Sequence, residues 1–360
     1  VKWYAEDPSD NSRYNLINTS TTSGVVFGTT QMYIAYGYGD DWTNEGRASA
    51  QPSTTNLLFS ASGSLATNAN NTYDNTTNTM TTKFVLANRE YENIGAVVIQ
   101  GRPTGFFDVT YSGTPSKYSA IPVASIAHGF KIADGSAHVR RSTIDDASCL
   151  KCHGTLGFHG SSARVVGGDL GVQMCIVCHN PNATDQGGRQ SIAFDAAGNN
   201  KLNASNSIDG KAEESIDMKT MIHRIHAVTG TEEPYVLYRT RGIYVFRGFE
   251  QPEGVGETVY VNGVEEDADF YHDYRVTYPQ PSKNCYACHN TSWDVALADQ
   301  KVASPATLIQ NTGTTRTDDV VTGPNQSACV TCHTSPDGKA HIKSLGYEGK
   351  GNKIDILKNK

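Results

Sequence analysis

The chain has two textures. Over residues 1 to about 140, short apolar runs with strand-like alternation stand between Gly, Pro and Asn turns: Gln31-Met32-Tyr33-Ile34-Ala35-Tyr36, Ala96-Val97-Val98-Ile99 and Phe107-Asp108-Val109-Thr110-Tyr111. Polar stretches such as 68–76 separate them with the composition of loops. This pattern predicts an all-β sandwich or split barrel of short strands. From about 141 onward the periodicity fades, and one helical stripe stands out. Met218, Met221, Ile222 and Ile225 recur at i, i+3, i+4 and i+7, predicting a buried stripe on a helix over about 215–228, with Ser215 as N-cap and Gly230 as the stop. Tyr235-Val236-Leu237-Tyr238 through Val259-Tyr260-Val261, with Asn262-Gly263 as a hairpin turn, predicts a β-rich insertion at about 235–275. The division is a β-rich interaction domain, 1–140, and a mostly irregular, partly helical domain, 141–360.

Composition sharpens this. A length of 360 residues suits two domains, yet only 38% of them are hydrophobic and the mean hydropathy is -0.44. The irregular half is short of aliphatic side chains, so something else fills part of its interior. A net charge of -7 argues against nucleic acid or an anionic membrane surface as partner. No run approaches the roughly 18 apolar residues of a transmembrane helix. The start at Val1 points to a removed targeting segment and a secreted or surface-associated chain. Acidic clusters at Asp40-Asp41 and 265–269 read as solvated loops, with calcium as the alternative. Several Asn-x-Ser/Thr triplets, Asn182 and Asn290 among them, would be glycosylation acceptors in such a chain.

The cysteines carry the chemistry. All eight fall into Cys-x-x-Cys pairs followed directly by His: Cys149-Leu-Lys-Cys152-His153, Cys175-Ile-Val-Cys178-His179, Cys285-Tyr-Ala-Cys288-His289 and Cys329-Val-Thr-Cys332-His333. Thiols three positions apart reach the two vinyl-derived carbons on one edge of a porphyrin, and the next residue is carried under the iron, so this is the attachment motif of c-type haem. Zinc does not require a His after each second Cys, and a disulfide framework belongs to smaller chains. With 11 histidines in 360 residues, chance placement at all four sites is on the order of 10^-6. The reading is four covalent haem c groups with His153, His179, His289 and His333 as proximal ligands. The porphyrins then supply the missing interior.

Seven histidines remain for the distal positions: His128, His138, His159, His223, His226, His272 and His341. The methionines on the 215–228 helix are committed to core, so bis-His ligation is the default. His223 and His226 lie three apart on that helix. They cannot approach one iron from opposite sides and are therefore assigned to two closely spaced haems. His159, in the tight turn Gly157-Phe158-His159-Gly160, is assigned to a haem other than its own. His341, after a polar turn containing Pro336 and Gly338, starts a short final helix and is a further ligand. His128, His138 and His272 read as ordinary surface or core residues, one of them available for export to an adjacent subunit.

The runs Cys149-Leu-Lys-Cys-His-Gly-Thr-Leu-Gly-Phe-His159-Gly, Cys175-Ile-Val-Cys-His-Asn-Pro181, Ser215-Ile-Asp-Met-Lys-Thr-Met-Ile-His223-Arg-Ile-His226, Tyr278-Pro-Gln…Asn284-Cys-Tyr-Ala-Cys-His289 and Cys329-Val-Thr-Cys-His…Ala340-His341 together resemble one haem-bearing half of the OmcA/MtrC outer-surface cytochromes of metal-reducing bacteria. The resemblance covers roughly residues 139–345. The segment from Val97-Val-Ile-Gln-Gly-Arg-Pro103 to Arg140-Arg141 is similar to the β-barrel domain preceding the haems in that family. The resemblance implies that His159, His223, His226 and His341 are the distal ligands. It also implies low-spin haems at close spacing and electron transfer to extracellular acceptors such as metal oxides, flavins or partner cytochromes. Family members carry more haems, in two such halves, and a lipidated N-terminal Cys; here there are four motifs, a start at Val1, and Ser161 where a second Gly is usual.

Two functions from different classes follow. The first is a bis-His tetrahaem electron carrier at the cell exterior, passing electrons to other cytochromes, to extracellular acceptors, or along an end-to-end homopolymer. The second is a multihaem reductase of nitrite, tetrathionate or a similar substrate, which needs one iron with an open sixth position. No motif replaces the proximal His, and distal candidates outnumber the motifs, which favours the carrier.

Overall fold

The segments at 31–36 and 96–99 form strands, Gln31–Tyr38 and Ile94–Gln100. The structure is a computed structural model and describes residues 1–18, 24–27, 30–38, 41–44, 50–56, 71–83, 93–101, 103–105, 119–121, 123–159, 164–192, 209–211, 213–231, 233–239, 242–248, 259–261, 264–266, 271–290, 306–308, 320–322, 324–345 and 348–350. The run at Phe107–Tyr111, the turn at Asn262-Gly263, Asp40 and Ser161 lie outside the described residues. Contacts divide the chain into two units: Val1–Ala35, Pro52–Arg140 and Cys149–Val177 in one; Tyr36–Gln51, Arg141–Ser148 and Cys178–Lys360 in the other.

The first unit is β-rich. Ile126–Lys131 pairs antiparallel with Ile94–Gln100, which neighbours Gln31–Tyr38, and Ser53–Asn56 pairs with the first half of that strand. Burial explains the order. Ile94 through Val98 are buried without alternation, as expected of a strand covered on both faces, whereas Ile126–Lys131 alternates, with Ala127 and Gly129 inward and Ile126 and His128 outward. Two smaller antiparallel sheets are formed by 2–3 with 79–82 and 71–74, and by 25–26 with 104–105 and 119–120. A hairpin, Gly157–Phe158 against Arg164–Val165, follows.

Among the described residues the α-helices are α1 (Asp146–Leu150), α2 (Gln186–Ile192), α3 (Met218–Ala227), α4 (Pro324–Cys329) and α5 (Pro336–Leu345). The predicted helix over 215–228 starts later, because Ser215 and Ile216 are used as rungs against Ala183 and Thr184, and Asp217 takes the N-cap position. It runs on through a 3-10 turn, Val228–Gly230. Its fully buried residues are Thr220, Arg224 and Ala227. Met221 and Ile225 are half-buried against a core of Val228, Tyr235 and Leu237, so the methionine stripe flanks the core rather than forming it. Likewise α5 starts before His341. Pro336 occupies the first helical position, where its missing N–H is no loss, and the Ser335 hydroxyl accepts the Gly338 N–H at 3.2 Å.

The insertion is a three-stranded sheet. Tyr235–Arg239 and Gly242–Arg247 pair antiparallel, but Tyr271–Arg275 joins parallel to the second strand, a pairing that a tight hairpin cannot make. The strands Val259–Val261 and Val264–Glu266 pair antiparallel with Val261 opposite Val264. The parallel register sets Asp273 beside Val245 and Arg275 beside Arg247, so Asp273 lies diagonal to Arg247, whose buried guanidinium donates at 2.8 Å and 2.5 Å to the two carboxylate oxygens. The bond from Arg247 holds the Asp273 carboxyl below its ordinary range, against a smaller opposing effect of burial. Asp273→Asn is expected to destabilise this sheet by about 1.5–3 kcal/mol. Because the folded pKa lies below the unfolded one, that contribution is present above about pH 4 and is lost as pH falls through the folded value. Hydrogen exchange of 271–275 checks this: equal protection in variant and parent at pH 7 would refute it.

Candidate haem centres

Each Cys-x-x-Cys-His run is placed on a single helical turn. α1 ends inside the first, the 3-10 segment Gly171–Val177 enters the second, Cys285–Ala287 is the third, and α4 ends at Cys329 of the fourth. In the first, third and fourth motifs the second Cys N–H donates to the first Cys carbonyl at 3.2 Å, and the His N–H donates to the same carbonyl at 3.0 Å. Such a turn puts residues i, i+3 and i+4 on one face. Among the described residues no group of three or more His, Cys, Asp or Glu converges as zinc or calcium would need. Asp41, half of one acidic cluster, is instead buried and paired with Arg141 at 2.9 Å. Two thiols and an imidazole on one face of each turn are the donor set that covalent haem takes.

Three histidines are oriented by backbone carbonyls. His179 Nδ1 meets Ile216 O at 2.9 Å, His289 Nδ1 meets Thr143 O at 3.0 Å, and His226 Nδ1 meets Ile222 O at 2.8 Å. A carbonyl only accepts, so each Nδ1 carries the hydrogen and each Nε2 keeps its lone pair for a metal. The carbonyls are themselves held. Ile144 bridges His289, and the Asn290 amide donates to Ser142 O at 3.1 Å.

His223 lies beside His289, with ring centroids 6.0 Å apart and ring planes at 32°. Two imidazoles on opposite sides of one iron, with metal–nitrogen bonds of about 2 Å and about 1 Å from nitrogen to ring centre, span about 6 Å. Burial, aided by His289 and Lys219, pushes the His223 pKa down to about 4, so the ring is neutral at ordinary pH, the form that ligates a metal. His226, three residues on, faces Tyr278 edge-on at 5.4 Å.

The third and fourth motifs converge near α3. Burial raises the Cys329 and Cys332 thiols, and Cys285 of the third motif adds to both shifts. Lys339 on α5 donates to Glu233 at 2.9 Å, fastening the helix that carries the exposed His341. In the first unit, Cys152 and His153 are exposed, Phe158 meets His153 edge-on at 6.4 Å, and His159 has φ +64°. A non-glycine residue in the left-handed region is uncommon, and here it turns the chain immediately after a strand. Asn180 and Asn182, just after the second motif, are buried, and their amides donate to Ala50 O at 2.6 Å and Thr43 O at 3.1 Å. That excludes Asn182 as a glycosylation acceptor. Of the remaining histidines, His128 is exposed and pairs with Asp169 at 3.2 Å, His138 is half-buried, and His272 stacks on Tyr244 at 4.5 Å. Sequence reasoning missed the parts played by Thr143, Ile216 and the two asparagines: a backbone carbonyl has no sequence signature, and Asn182 was legible only as a glycosylation triplet.

Thiols and imidazoles arranged on such turns define a multihaem cytochrome of the c type. Residues 141–358 match the family model for the outer membrane cytochrome MtrC/MtrF-like, domains II/IV. The chain belongs to this MtrC/MtrF-like family. No curated protein matches it. Among solved structures it is similar to the crystal structure of MtrC from Shewanella baltica OS185, at 14% identity and a TM-score of 0.45, over 97% of this chain and 45% of that one. The chain thus spans less than half the length of that relative. No helix among the described residues is long and apolar enough to cross a membrane.

Proposed function

We propose that this chain is an extracellular electron-transfer protein that holds four haems c, attached at Cys149 and Cys152, Cys175 and Cys178, Cys285 and Cys288, and Cys329 and Cys332. His153, His179, His289 and His333 are the proximal ligands and His159, His223, His226 and His341 the distal ones. Residues 1–140 serve as the interaction domain and 141–360 as the tetrahaem domain with its insertion, a boundary supported by the family match beginning at 141. The observation that carries the reading is the 6.0 Å approach of His223 to His289, the span of two imidazoles on one iron. Haem iron supplies reversible one-electron transfer. The chain's part is to hold the imidazoles of His179, His226 and His289 with their Nδ1 hydrogens committed to carbonyls, and to seat two ligands, His223 and His226, on one rigid helix.

Intact mass and haem content of the matured protein test this directly. Four haems are expected, falling by one in each Cys-pair→Ser variant; bound zinc or fewer haems refutes it. The electrons go to outside acceptors, to partner cytochromes, or along an end-to-end filament in which the exposed His128 contributes to a neighbouring copy. Electron microscopy of the native protein, with His128→Ala alongside, tests the filament: discrete particles in the native sample, or unaltered filaments in the variant, exclude that role.

A further inference from the structure

One buried ion pair has no part in the ligand set. Arg189 on α2 and Asp185 before it are each about 2% exposed or less at the side chain and meet at 2.8 Å. Arg189 also donates to both Asp209 oxygens at 2.7 Å and 2.9 Å, to Lys211 O at 2.8 Å and to Val236 O at 3.3 Å. Asp185 accepts the Glu214 N–H at 2.6 Å and the Tyr238 N–H at 2.9 Å. The pair therefore joins α2, the segment before α3 and the first insertion strand. From this joint a ladder runs back to the second motif: Asp185 N to Glu214 O at 2.9 Å, Ile216 N to Ala183 O at 3.0 Å, and Met218 N to His179 O at 2.9 Å. At its end, His179 Nδ1 donates to Ile216 O at 2.9 Å. The Tyr235 hydroxyl donates to Ser215 O at 2.6 Å, bracing the middle. Burial raises the Asp185 carboxyl to about 6, against the pull of Arg189, so it is ionised above neutral pH.

We propose that Asp185 and Arg189 are positioning residues for the His179 imidazole: they lock the ladder whose last carbonyl, Ile216 O, sets the orientation and basicity of that ring as a haem ligand. This rests on the haem reading given above. A firm Nδ1–H···O bond makes the imidazole a stronger donor, which favours ferric over ferrous iron. Loosening the ladder weakens that bond and raises the potential of the haem at Cys175 and Cys178.

Charge alone predicts something different. Asp185→Asn removes a negative charge and would raise the potential, whereas Arg189→Met removes a positive charge and would lower it. The positioning role requires both variants to raise it. The test is a redox titration at pH 8 with electron paramagnetic resonance of the low-spin signals, in the matured full chain. The expected result is four haems by mass in each variant, one component shifted positively in both, and a moved low-spin signal for that haem alone. Opposite shifts, or lowered thermal stability with all signals and potentials unmoved, overturn the proposal. Should the buried variants fail to mature, Asp209→Asn loosens one arm of the Arg189 contact, and a positive shift accompanied by a moved low-spin signal of that haem is expected; a shift with that signal unmoved, or no shift, overturns it. A parent protein lacking haem at Cys175 and Cys178 would instead defeat the haem reading itself.

Discussion

Replacing His223 by glycine is expected to convert about a quarter of the ferric haem from low to high spin, because one iron of the four loses its sixth ligand. The geometry leaves no substitute. His226 lies on the same helix, but its Nδ1 is bonded to Ile222 O and its ring is seated against Tyr278. His289 keeps its carbonyl bond to Thr143, so the proximal side is preserved. Added imidazole should enter the space of the deleted ring and restore the low-spin spectrum, which separates ligand loss from misfolding. A variant that stays fully low-spin without imidazole would show that His223 is not a ligand and that its approach to His289 has another cause. His226→Gly is expected to act on a different haem, and the double variant to give about twice the high-spin fraction, since the proposed ligation gives the two residues on one helical turn separate irons.

The second large effect concerns folding. The described side chains of 271–290 and 324–345 include no buried hydrophobic residue; those buried there are Gln326, Ser327 and Thr331. These segments carry the third and fourth motifs, and helices as short as α4 and α5 are marginal on their own in water. By contrast the insertion sheet buries Tyr235, Val236, Leu237, Tyr238, Ile243 and Val245. Replacing both Cys329 and Cys332 by serine removes one covalent porphyrin, and with it the apolar surface on which α4 and α5 can pack. Backbone amides of 324–345 should then exchange at close to unfolded rates, a loss of several orders of magnitude in protection, while 235–247 keeps most of its own. Retained protection of α5 in the double-serine protein would show that its Lys339–Glu233 tie and backbone caps suffice, and would sink the idea that haem is its core.

Different parts of this outcome were legible at different levels. The strands at 31–38 and 94–100 could be read because β-branched and aromatic runs bounded by turn residues have few alternatives. The parallel partner of 242–247 could not, since a parallel pairing depends on a crossover rather than on local pattern. Ser215 was misread as a helix cap because capping and strand-rung roles use the same small polar residue, and only the position of Ala183 and Thr184 decides between them. Arg189 carried no motif. Its role arises from five acceptors brought together from 185, 209, 211 and 236.

What the sequence determined by itself is the local geometry of the four Cys-x-x-Cys-His motifs. Two thiols three apart and a following imidazole lie on one helical turn whatever the surrounding fold, because that geometry is local to five residues. What only the tertiary structure decided is which imidazole faces which. The approach of His223 to His289 joins residues 66 positions apart in sequence, and the carbonyls that orient His179 and His289 come from Ile216 and Thr143, whose side chains carry no trace of the task. Long-range pairing depends on how the ladder before α3, the α3 helix and the third motif pack together, and no local pattern encodes that packing.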